Sequence, residues 1–80
     1  MIVPAHLAPR RFRLIRTDDV TGVSGPGHVA DGVQWPDGTC AVRWRTQIAT
    51  HALYDALDHV EHIHGHDGAT HIEFVDPRQD

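Results

Sequence analysis

Eighty residues, a net charge of −4, seven arginines, no lysine and one cysteine bound what this chain can be. A chain of this length makes one domain with a thin core, which leaves room for a shallow surface site and excludes a deep, enclosed catalytic cavity. The lone Cys40 excludes an internal disulfide, and no apolar run is long enough for a signal peptide or a membrane span, so a cytoplasmic protein is expected.

Residues 1–10 hold two prolines and no periodic pattern, and are expected to form an extended arm. A single small domain is expected over 11–76, with a polar tail at 77–80. From Arg11 to Arg16, Phe12 and Leu14 alternate with Arg11 and Arg13, the period of a half-buried strand. Asp18 to Gly27 is rich in turn formers and reads as a long first loop. His28 to Trp35 reads as a second strand, in which Gly32 suggests a bulge. Pro36-Asp37-Gly38 predicts a tight turn, with proline presetting φ and glycine permitting a positive φ.

Thr39 to Arg45 reads as a third strand, with Cys40, Val42 and Trp44 on one face and Ala41, Arg43 and Arg45 on the other. A fourth strand is expected near Ile48–Tyr54. Asp55 is a candidate helix N-cap, and Asp58 suits the positive end of the helix dipole. Ala56, Leu57, Val60 and Ile63 then predict a short helix over about 56–64, with Gly65 as a left-handed residue beyond its end. The alternative is one longer helix from Thr50 to His64, with Leu53, Leu57, Val60 and His64 on its stripe. Thr70 to Val75 predicts the last strand. This order gives a mainly β fold: a small SH3-like, five-stranded barrel or roll with one short helix before the last strand.

Four segments carry a resemblance. They are Val23-Ser-Gly-Pro-Gly-His-Val-Ala-Asp-Gly-Val33, Asp37-Gly-Thr39, Arg43-Trp44, and His64-Gly-His-Asp-Gly-Ala-Thr70. On these the chain resembles a group of small proteins encoded by actinobacteria and their phages, over about residues 12–75. The resemblance implies a small accessory protein of phage origin and brings no catalytic residues with it. His51, His59, His62 and His71 lie outside the shared pattern.

Charge is uneven along the chain. Residues 1–45 hold six arginines against four aspartates, and residues 46–80 hold one arginine against seven acids. An acidic half argues against general duplex-DNA binding, which needs several phosphate contacts from a basic face. Arg10, Arg11, Arg13 and Arg16 are the candidate for such a face, and a solvated strand edge is the plainer reading of them. A nucleic-acid-binding barrel using these arginines, with aromatic stacking, is the second functional class.

His59, His62, His64, His66 and His71, with Asp67, crowd the C-terminal third. Imidazole and carboxylate groups converging from a short stretch suit zinc, and His62, His66 and Asp67 are the candidate ligands. The plainer reading places His64 and His66 at a helix C-terminus, bonding free carbonyls. No cofactor is expected, with zinc on these residues as the third functional class. Ser24 lacks the second half of a nucleophile elbow, because Pro26 stands where glycine is needed. Cys40 reads as a buried strand residue.

No catalytic constellation remains, so the leading expectation is a non-enzymatic module that binds another protein. Trp35 and Trp44 are its candidate contacts, with Arg43, Arg45 and Asp19 as polar rim. Exposed strand edges also allow a homodimer.

Overall fold

The computed structural model describes residues 7–17, 27–65 and 69–77. Except for its last residue, Gly27, which opens the second strand, the expected first loop, and with it Asp19, lies outside the described residues. So do most of the N-terminal arm, the polar tail, and His66 with Asp67.

Five antiparallel strands form one sheet. They are β1 (Arg10–Arg16), β2 (Gly27–Gln34), β3 (Cys40–Trp44), β4 (His51–Tyr54) and β5 (Thr70–Phe74), and one helix, α1 (Leu57–His64), precedes the last strand. The order across the sheet is β4-β3-β2-β1-β5, so β1 pairs with both its chain neighbour and the last strand. Among the described residues, β4 and β5 are the two edges and no ladder joins them. Helix α1 packs against both. No described helix is long and apolar enough to cross a membrane.

Alternation decides the two faces of the sheet. The inner face carries Phe12 and Leu14 from β1, Ala30 from β2, and Cys40 and Val42 from β3. Trp44, Tyr54, Leu57 and Ile72 pack around them. Val60 of α1 is fully buried there. Burial of a side chain of this kind is worth about 1.5–3 kcal/mol, so this helix is held by packing more than by its own eight residues.

Several local expectations are corrected. The bulge is not at Gly32, which keeps regular register with Phe12 and Val42. It falls where the partner of β1 steps from Ala30, opposite Leu14, to His28, opposite Ile15. Val29 is the extra residue, and both Val29 and Ala30 are buried. Gly32 serves a different need: Phe12 lies across the strand from it, and a Cβ there would collide with the ring.

Helix α1 starts later than Asp55 would cap. Ala56 is still extended, with φ −152° and ψ 152°, so it becomes the N-cap and offers no side-chain hydrogen bond. Gly65 is right-handed, with φ −69°; its N–H donates to the Glu61 carbonyl and its own carbonyl accepts from Thr70 N–H. The inward stripe of the helix is Leu57, Val60 and His64, while Ile63 is exposed.

The predicted turn forms as read. Gly38 N–H donates to Trp35 O at 2.9 Å, Trp35 N–H donates to Thr39 O at 2.9 Å, and Gly38 has φ 94°. This is a three-residue hairpin loop closed by a left-handed glycine. Asp37 Oδ1 accepts from both the N–H and the hydroxyl of Thr39. Those two bonds, the side-chain one first, hold the Asp37 carboxyl below its ordinary range.

Candidate functional site

Among the described residues, no element packs on the outer face of the sheet. Alternation puts Arg11 and Arg13 of β1 there, with Asp31 and Val33 of β2, Ala41 and Arg43 of β3, and His51 and Leu53 of β4. Register lines them up in rows. One row runs His51–Arg43–Asp31–Arg13–Glu73 across all five strands. The next runs Leu53–Ala41–Val33–Arg11. Trp35 follows Val33 at the end of β2, 40% exposed, and Leu53 is 80% exposed. Trp35, Val33, Ala41 and Leu53 therefore form an apolar stripe bordered by a charged row.

The bulge shapes the charged row. In a regular strand, residues three apart point to opposite faces. The extra residue Val29 rephases β2, so His28 and Asp31 share the outer face. His28 Nε2 lies 2.7 Å from Asp31 Oδ1. Arg45 Nη1 lies 3.6 Å from Asp31 Oδ2 and 3.4 Å from His28 Nδ1. This geometry calls for one tautomer: Nε2–H donates to the carboxylate, and Nδ1 accepts from the guanidinium. Asp31 thus sits amid Arg13, Arg43 and Arg45. Arg13 and Arg43 are exposed and make no ion pair with any described residue.

Trp35, Arg43 and Arg45 thus share the outer face. Trp44 lies on the inner side, with its ring 4.7 Å from that of His64, centroid to centroid, in an edge-on contact. Tyr54 OH lies 2.8 Å from His64 Nε2. The two tryptophans therefore do not line one groove. Val33, Ala41 and Leu53 were not singled out in the sequence as surface residues. Their signal was the odd-numbered parity they share with Arg43, which becomes readable only once strand register is known.

The four N-terminal arginines separate. Arg11 clasps Asp76: Nε donates to Oδ2 at 2.9 Å, Nη2 to Oδ1 at 2.7 Å, and the backbone N–H to Oδ2 at 2.8 Å. These bonds, the side-chain ones first, pull the Asp76 carboxyl down to about 2 and push the Arg11 guanidinium up. Arg10 stacks over the Phe74 ring, 3.7 Å from its centroid, and Phe74 meets Phe12 edge-on. Arg16 is 5% exposed and donates from Nε to Thr70 Oγ1 at 3.1 Å. Among the described residues, Arg13 is the one of the four for which no side-chain partner is found, and it lies on the outer face.

His62 stands exposed on α1, and no three metal-ligating side chains converge among the described residues. Cys40 is buried, and burial pushes its thiol above the ordinary range, so it is neutral rather than a nucleophilic thiolate at neutral pH. Burial, and then the neighbouring Cys40, likewise raise the Tyr54 hydroxyl.

Comparison with known proteins gives one result. A family model described as Acb5 phage protein matches residues 9–76. No curated protein and no solved structure matches the chain.

Proposed function

The chain belongs to the Acb5 phage protein family, and from that premise we propose a non-enzymatic phage accessory protein that binds a host protein in the cytoplasm of an actinobacterium. One observation carries the reading: the apolar stripe Trp35–Val33–Ala41–Leu53 on the uncovered face of the sheet, edged by Arg43, Arg13 and the Arg45–Asp31 cluster. An aromatic anchor beside arginines is the composition that dominates binding energy at protein interfaces. The strand order, with β1 between β2 and β5 and a helix before the last strand, supports an SH3-like roll as the scaffold. The dispersal of Arg10, Arg11 and Arg16 into contacts of their own leaves little basic face for a phosphate backbone.

The test is capture from a host lysate by the wild-type chain and by Trp35→Ala and Arg43→Glu variants. A specific partner is expected whose affinity falls at least tenfold, about 1.4 kcal/mol, in each variant while melting is unchanged. Salt-dependent binding of a single-stranded oligonucleotide, with no such partner, would replace this reading.

A further inference from the structure

We propose that the free edge of β4 is a self-pairing surface, on which a second copy of the chain docks antiparallel about a twofold axis through Leu53. The proposal concerns the backbone edge of β4; Leu53 belongs both to that edge and to the stripe around Trp35, and self-association of the isolated chain is read apart from capture of a partner.

The backbone argument comes first. Trp44 N–H donates to Thr50 O at 3.0 Å, and the β3–β4 register runs without a shift from Arg43↔His51 to Cys40↔Tyr54. In an antiparallel ladder hydrogen-bonded pairs alternate. Residues 50, 52 and 54 therefore direct their N–H and C=O groups into the sheet, and His51 and Leu53 direct theirs outward. β4 is terminal in the sheet, and no described residue bonds those outward groups. An edge of this kind is a template for another strand. Natural edges are usually blunted by lysine, proline or an inward charge. A short strand also blunts an edge, and this one has only four residues, but between His51 and Tyr54 it carries none of those side chains.

The side chains choose the occupant and the register. A twofold through Leu53 sets Leu53 against its copy, and His51 against the copy's Asp55. It also pairs outward backbone groups with outward backbone groups. The exposed leucine is thereby covered by its equivalent, and an imidazole N–H meets a carboxylate twice. A twofold through His51 would oppose two imidazoles. One through Ala52 would set His51 against Leu53. Only the Leu53 register is complementary in both apolar and polar terms, which is the signature of an isologous contact. One short strand pair makes a small interface, so association at micromolar concentration is expected rather than an obligate dimer.

The experiment is sedimentation velocity on the full chain over a wide concentration range, with circular dichroism to verify folding. The wild type is expected to pass from one chain to two. Leu53→Lys places like charges on the axis and is expected to weaken dimerisation by at least about tenfold. Its side chain is already exposed, so the monomer fold is retained. His51→Glu sets two carboxylates against each other and weakens the dimer, and adding Asp55→Lys restores it. A chain monomeric at every concentration overturns the proposal. So does a dimer indifferent to Leu53→Lys, or one that His51→Glu weakens and Asp55→Lys fails to restore.

Discussion

Asp76 accepts three hydrogen bonds from Arg11 and closes the start of β1 against the end of β5. Its carboxyl is held at about 2 against an ordinary 3.8. A depressed folded value means that the ionised form stabilises the fold. That contribution is full above about 3.8 and is lost as pH falls through about 2. Asp76→Asn is therefore expected to lower the melting temperature at neutral pH. The gap between variant and wild type should close on acidification through that window, as thermal melts at a series of pH values would read. Gly32 makes a second point at this scale. Nothing about its own backbone demands glycine; the Phe12 ring takes the space a side chain would need. Gly32→Ala is expected to displace Phe12 and cost about 1–3 kcal/mol in urea unfolding.

Among the elements, the five strands and the helix fall within a few residues of where period and turn chemistry put them. The departures share a cause. Asp55 has the right chemistry for an N-cap, but Ala56 after it is still extended, and the helix begins one residue later. The cap position is thus left to alanine, which bonds no free N–H. Ala56→Ser is expected to supply that bond and add about 0.5–2 kcal/mol, measured as a higher urea midpoint at constant slope. The bulge shows the same limit. Glycine is its usual marker, yet the extra residue is Val29, and Val29 and Ala30 are buried together there while Gly32 keeps regular register. Ile63 and His64 exchange the roles their polarity suggests. The helix rotates to bury Leu57 and Val60, and His64 then meets Trp44 and Tyr54.

For the whole molecule, the sheet has one face committed to a core and one face open, with edges at β4 and β5. If β4 joins a second copy, the folded state gains stability by mass action, and the melting temperature rises with protein concentration. That shift should vanish in Leu53→Lys. The open face of the joined sheet would then carry two Trp35 stripes related by the twofold.

The sequence by itself determined the composition of this molecule in space: one small domain, strands of period two, a hairpin turn closed by Gly38, and a short helix before the last strand. These follow from local rules of alternation and backbone conformation, which act over a few residues. Only the tertiary structure decided which side chains meet. It set the inner face for Trp44 and the outer face for Trp35, the clasp of Arg11 on Asp76, and the stacking of Arg10 on Phe74. It also gathered His28, Asp31 and Arg45 into one cluster. Each of these depends on strand register or on contact between distant segments. A shift of one residue, as at Val29, turns a side chain from core to solvent.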